Sequence, residues 1–279
     1  MKNGLYIVAT PIGNLADISL RAIEVLRAVD YIAAEDTRHS AHLMQHYGLN
    51  TPMLAYHDHS GEKQTEKLLG FLQEGKSVAL ISDAGTPLIS DPGYPLVKEA
   101  HEKGITVIPI PGASAMVAAL CASGLATDHF SFCGFLPAKA KARQDILRML
   151  AGRQETLVFY EAPHRIAETL VDMCNILGED RLITLGRELT KNFETIRQYT
   201  LAEMKAWVQG DPNQQRGEIV LLVEGAKVVA MADKISQDAE QLVQLLMEEL
   251  PPKTASKIVA EYCSLPKKLV YDHILSLKK

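Results

Sequence analysis

Apolar and polar positions follow two rhythms along this chain. LYIVAT (residues 5–10) is a short apolar run closed by Pro11 and Gly13, which reads as a strand feeding a loop. In SLRAIEVLRAV (19–29) the apolar residues recur at helical spacing, with Asp17 or Ser19 available as N-cap. Strands YIAA (31–34), PMLAY (52–56), SVALIS (77–82) and TVIPI (106–110) follow. Helical segments at 37–47, 62–74 and 94–103 separate them, each followed by a glycine (Gly48, Gly75, Gly104). Strands alternating with helices through short loops predict a mainly parallel sheet covered on both faces.

A second cycle begins near Thr127. FSFCGF (130–135), TLVFYE (156–161), RLITLG (181–186) and EIVLLVE (218–224) read as strands. ARQDILRMLAG, PHRIAETLVDMCNIL and LAEMKAWVQ read as helices, with Pro163 in the first turn of the second. The pattern predicts an α/β protein with two α/β domains, residues 1–122 and 123–226. A linker over 225–237 leads to three helices in 238–279, the last two joined by the turn SLP. That spacing fits a helix-turn-helix, and equally a small helical cap on the α/β domains or on a partner subunit.

Length and composition narrow the class. At 279 residues, 47% hydrophobic and 23% charged, the chain can build one large or two ordinary cores. Charge or proline interrupts every apolar run before membrane-spanning length, so no membrane segment is expected. The opening MKNGLYIVATPIGN is too strand-like for a secretory leader. Four scattered cysteines with no C-x-x-C fit reduced thiols in a cytoplasmic protein. The net charge of −5 argues against bulk polyanion binding. Two basic runs, 139–153 and 253–279, are nonetheless compatible with a phosphate backbone, or with solvated helix faces. His39, His42 and His46, with His57-Asp58-His59, complete no known metal-site spacing, and no metal is expected.

The chemistry-bearing residues gather at strand ends, where doubly wound sheets place their ligands. The loop after the first strand has Gly13 but no G-x-G-x-x-G, which excludes a standard dinucleotide site. Glu35 and Asp36 end the second strand. After the fourth comes SDAGTPLISDPG. There Asp83 can accept hydrogen bonds from an ammonium group or hydroxyls, Gly85 admits a ligand to the backbone, and Pro87 and Pro92 stiffen the loop. After the fifth comes PGASA, with Ser114 at a helix start whose amides suit a carboxylate. One loop for an ammonium and one for a carboxylate suit a zwitterionic amino-acid moiety.

Eight ordered motifs, TPIGNLADIS, AAEDTRHS, SDAGTPLISDPGYP, PGASA, GFLPAK, FYEAPHR, RELTK and RGEIVLLVEG, resemble the ribosomal RNA small subunit methyltransferase I family of the tetrapyrrole-methylase superfamily. The resemblance spans about the first 225 residues, and the tail is similar to that family's C-terminal helical domain. It implies S-adenosylmethionine in a cleft between the two α/β domains of a homodimer. It also implies 2′-O-methylation of a cytidine in 16S rRNA at the decoding centre, on naked RNA or the small ribosomal subunit, with no DNA partner. By the same resemblance Pro11, Asp83, Gly85, Thr86, Ser114 and Ala115 line the methionine end of the cofactor, and Tyr160, Glu161 and Arg187 face the same cleft. This chain departs from the family at AKAKAR after GFLP and at KNFETI after RELTK.

Methyl transfer to a ribose hydroxyl needs alignment and a base or an oxyanion-stabilising cation. Glu35, Asp36, Glu161, His164, Glu188 and Lys191 are the candidates. Glu188 and Lys191, close together in RELTK, are the expected pair, with Glu35 in reserve. A methylase of a small macrocycle and a non-catalytic ribosome-assembly RNA binder are the alternatives.

Overall fold

The computed structural model describes residues 2–57, 60–227, 235, 237–263 and 265–277. These form two compact units, Met1–Gly225 and Ala226–Lys279. The first half of the larger unit follows the β/α rhythm. Strands β1 (Gly4–Val8), β2 (Tyr31–Ala34), β3 (Met53–Ala55), β4 (Ser77–Ile81) and β5 (Val107–Ile110) pair in parallel, in the order β3-β2-β4-β1-β5. Helices α1 (Leu20–Ala28) and α2 (Thr37–His46) bury Ala22, Val25, Leu26, Leu43 and Met44 against one face. Helices α3 (Gly61–Gln73) and α4 (Tyr94–Glu102) bury Leu68, Leu69, Leu72, Leu96 and Ala100 against the other. With both faces covered, β4 is buried along its whole length, which explains its unbroken apolar run. Ser19 is the N-cap of α1, its hydroxyl accepting from the Ala22 amide at 3.1 Å.

The second sheet is mixed, a correction to any reading of it as another parallel cycle. Its strands are β6 (Phe130–Phe135), β7 (Thr156–Glu161), β8 (Leu182–Arg187), β9 (Thr195–Thr200) and β10 (Ile219–Val223), in the order β6-β7-β10-β8-β9. Only β6 and β7 are parallel. Strand β9 is absent from the sequence reading. It is an edge strand whose Arg197 and Gln198 are exposed, so it carries little apolar signal. Helices α6 (Ala140–Leu150), α7 (Ile166–Leu177) and α8 (Leu201–Gly210) cover one face, packing on Leu157, Phe159, Leu221 and Val223. The alternate residues Val158, Tyr160, Val220 and Leu222 face the other way. There they meet Ile12 from the loop after β1 and Ala119 and Leu120 of α5 (Ala115–Ala122). The two sheets are therefore joined by an apolar seam.

The smaller unit contains α9 (Gln237–Glu249), α10 (Pro252–Tyr262) and α11 (Lys267–Ser276) around Val243, Val259, Val270 and Ile274. Most of the linker expected over 225–237, and part of the turn at 264–266, lies outside the described residues, as do Asp58 and His59. His39, His42 and His46 lie exposed along α2. Among the described residues no helix is long and apolar enough to cross a membrane.

Gly112 lets the loop after β5 lie directly on β1. A methyl group there would stand 2.8 Å from the buried Ala9 Cβ, just past the central strand β1, where the Ala9 amide is bonded to the Ile110 carbonyl. Gly112→Ala is therefore expected to cost about 1–3 kcal/mol. Urea denaturation should show a lower midpoint at unchanged slope.

Candidate active site

The order β4-β1-β5 sets three strand ends side by side, and backbone bonds lock their loops together. The Thr10 amide donates to the Gly85 carbonyl (2.8 Å) and the Gly85 amide returns a bond to Thr10 (3.0 Å). Gly85 takes φ +80°, which glycine adopts without strain. The Thr86 hydroxyl donates to the Ala113 carbonyl (3.0 Å), tying the β4 loop to the β5 loop. Ser114 caps α5, accepting from the Val117 amide at 3.5 Å. Beside the seam these loops and the second sheet line an open cavity of about 380 Å³. Ile12, Ile89, Ala115, Phe135, Leu189 and Val220 give it apolar walls, and Thr86, Ser90, Asp91, Ser114, Tyr160 and Glu218 add polar points. A mostly apolar pocket with a few placed polar groups, in this size range, has the make-up of a small-molecule site.

Among the described residues, four that are not glycine have left-handed backbone: Leu88 (φ 73°), Ser90 (66°), Glu188 (51°) and Thr190 (68°). They lie in the loop after β4 and the loop after β8. Each costs on the order of 1–3 kcal/mol and persists only where its surroundings enforce it. Ser90 lines the cavity, and Glu188 and Thr190 flank Leu189, which also lines it.

Of the residues singled out in the sequence, Gly85, Thr86, Ser114, Ala115, Tyr160 and Glu161 line the cavity. The Glu161 carboxylate is occupied. It is 2% exposed and accepts from Arg165 (2.6 and 3.0 Å), Thr169 (2.6 Å) and the Ala162 amide (2.7 Å). Tyr160 bonds the Met116 amide at the start of α5. Burial raises its phenol above the ordinary value, with the nearby Asp91 charge adding to that and the Met116 bond opposing.

The other candidates sit outside the lining. Asp83 accepts from the Asp36 amide (3.1 Å) and its own amide donates to Glu35 (3.3 Å), so these acids link the ends of β2 and β4. Asp36 caps α2 and binds Arg38, whose hydrogen bonds hold its carboxyl below the usual range. Arg187 is buried and spans Gln214, Phe193 and Thr195, a structural brace across β8 and β9. Pro11 is half-buried between Thr10 and Ile12.

Glu188 and Lys191 do meet, at 2.9 Å, and Lys191 also reaches Glu218 at 3.0 Å. The Lys191 stem lies over Gly13, where a Cβ would come within 2.5 Å of Lys191 Cγ, so the loop after β8 rests on the loop after β1. Burial works to raise the Glu188 carboxyl, but bonds from Lys191 and the Glu218 amide, and the Lys191 and Arg187 charges, hold it below the ordinary value. Burial likewise works to lower Lys191, and the two carboxylates overcome it and raise the ammonium. Lys191 is thus a fixed cation. Glu218, 73% exposed and lining the cavity, was not foreseen as a site residue, nor were Asp91 and Phe135. All three lie within the quoted motifs, one or more positions from the residues chosen.

Comparison with known proteins identifies the family and the fold. The family of tetrapyrrole (corrin/porphyrin) methylases matches residues 4–205, and the RsmI C-terminal HTH domain matches residues 233–278. The ribosomal RNA small subunit methyltransferase I of Haemophilus influenzae is 53% identical over 268 residues, covering 96% of this chain and 95% of that one. The protein of the same name from Escherichia coli O157:H7 is 51% identical, covering 97% and 94%. Among solved structures, the methyltransferase CobJ aligns with a TM-score of 0.61 at 20% identity over 80% of this chain and 95% of that one. Uroporphyrin-III-C-methyltransferase from Thermus thermophilus gives 0.56 at 18% identity, over 80% and 94%. At those identities the likeness is one of fold.

The lowered Glu188 carboxyl stabilises the folded state above the ordinary glutamate pKa, and that contribution is lost as pH falls through its depressed folded value. The raised Lys191 contributes below the ordinary lysine value and is lost as pH rises through its elevated one. Stability measured against pH should therefore fall less steeply on the acid side in Glu188→Gln than in wild type. Parallel acid limbs would contradict the pairing. Glu161→Ala, which leaves the partly buried Arg165 and the buried Thr169 hydroxyl without their carboxylate, should cost about 1–3 kcal/mol in chemical denaturation.

Proposed function

The chain belongs to the tetrapyrrole-methylase family and, by identity above 50% over nearly its whole length, to its ribosomal RNA small subunit methyltransferase I members; from that premise we propose how its cavity methylates 16S rRNA. The observation that carries the reading is the apolar cavity where three locked strand ends meet the second sheet. The substrate is a ribose 2′-hydroxyl of a cytidine at the decoding centre. The protein works in the cytoplasm as a homodimer, with 1–122 and 123–226 as the two catalytic domains and 238–279 as a helical domain that adds grip on RNA.

The residues fit S-adenosylmethionine by their chemistry. The apolar walls suit the cofactor's carbon skeleton, Asp91 supplies negative charge on the wall, and the capped start of α5 at Ser114 offers amides to a carboxylate. Gly85, Thr86, Ser114, Ala115, Tyr160 and the Glu161 backbone would hold it, with Pro11, Asp83 and Arg187 bracing the loops behind. When bound, it supplies the methyl group as an electrophile.

The chain's own contribution is positioning and charge. The loops are rigid before binding, so little order remains to be imposed by the ligand. Lys191, held between Glu188 and Glu218, presents a positive charge at the rim that favours a developing alkoxide. The carboxylates of that cluster accept the hydroxyl proton, and Glu218 is the one that lines the cavity. Glu35, bridged to Asp83, remains the reserve base. The AKAKAR segment offers exposed Lys139 and Lys141 to phosphate, while Arg148 and Arg153 pair with Asp145 and Glu155, and Arg143 is buried on Asp172.

Tritiated methyl from S-adenosylmethionine should enter 16S rRNA, as a 2′-O-methyl nucleoside, in small subunits from a strain lacking this protein. Label confined to small molecules would favour a macrocycle methylase, and cofactor binding with no transfer would favour a non-catalytic binder. Lys191→Ala should lower kcat roughly 10²- to 10³-fold. Its cofactor affinity by calorimetry should stay within about twofold of wild type, since Lys191 does not line the cavity.

A further inference from the structure

Phe135 ends β6 at the cavity with more than half of its surface, 54%, exposed. The register explains how it comes to face there. Phe132 pairs with Val158 and Phe135 with Tyr160, so β6 takes three steps where β7 takes two. The extra residue is accommodated at Gly134, whose φ of +62° is the left-handed turn of a bulge. Strict alternation would send Phe135 to the face opposite Phe132. The bulge returns it to the same face, and both rings meet Tyr160 edge-on, at 4.9 Å for Phe132 and 5.6 Å for Phe135.

Their fates then differ. Phe132 packs into the apolar seam. Phe135 stays beyond it, on the cavity wall, its ring tilted 61° to that of Tyr160. The strand end also runs close to the strained loop after β4, since a Cβ on Gly134 would lie 3.7 Å from the Ser90 hydroxyl. A bulge conserves no burial here; its effect is to aim a flat apolar ring into a space walled also by Ser90 and Asp91.

We propose that the Gly134 bulge presents Phe135 as a stacking platform for a heteroaromatic base entering the cavity. Every nucleobase has a π-face, and recognition of unpaired RNA relies on stacking bases upon such rings. The class of ring rests on the proposed function. It has two sources there, the base of the target nucleotide and the adenine of the cofactor, which one set of variants separates.

Phe135→Ala, Phe135→Leu and Phe135→Trp are compared with wild type in two measurements: calorimetric Kd for S-adenosylhomocysteine, and KM for small subunits in the tritium assay. Phe135→Ala should weaken one of them by roughly 5- to 150-fold, the range of base–aromatic stacking. A shift in Kd assigns the adenine, and a shift in KM assigns the target base. Phe135→Trp should remain within about threefold of wild type, while Phe135→Leu, apolar but not flat, should follow Phe135→Ala. Thermal melting checks that each variant folds. Unchanged Kd and KM in Phe135→Ala, or full rescue by leucine, would overturn the stacking role. The wild-type assay is the test of the methyltransferase reading itself, so failures of the two ideas appear in different samples.

Discussion

The two hydrogen bonds between Thr10 and Gly85 carry more of this architecture than their number suggests. Parallel strands end on the same edge of their sheet, and here β1 lies between β4 and β5. Their loops must leave together, and an unpaired backbone group among them would face a substantial desolvation cost. Pairing Thr10 with Gly85, and Thr86 with Ala113, satisfies those groups and removes the loops' freedom at the same time. Ile12, next along from this lock, is then free to leave the first sheet and enter the seam with the second.

That seam is where the chain's two halves meet beside one cavity. Its apolar residues come from the loops after β1 and β8, from α5, and from one face of β7 and β10. Burial there is non-directional and would tolerate sliding. The polar contacts above it are directional. Lys191 bridges Glu188 to Glu218 within the second half, and those ion pairs hold its carbon stem where it rests on Gly13 of the first. The left-handed residues on either side of the cavity fit this view: strained backbone is kept where its neighbours leave no alternative.

The charged candidates divide by environment. Glu161 and Arg187 end strands at the cleft, as conspicuous residues do, yet their buried side chains face structural partners. Glu218 looks ordinary in RGEIVLL but stands at the rim. A carboxylate with all its acceptors filled braces the fold, whereas one largely open to water can exchange a proton. The spacing of residues along a motif does not distinguish the two.

Periodicity, glycine punctuation and motif order were sufficient for the first sheet, α1 to α4, α6 to α8, and the loops that line the cavity. These are local properties: a buried strand needs an apolar run, and a helix needs a cap and a face. What lay beyond local pattern was decided by tertiary structure. The polar edge strand β9, the antiparallel turn of the second sheet and the bulge at Gly134 depend on which strand lies alongside. So does the choice between a side chain that lines a cavity and one that ties two strand ends together. Alternation along a strand assigns faces only until a neighbour's register adds a residue, and pairing partners distant in sequence leave no periodic trace in either segment.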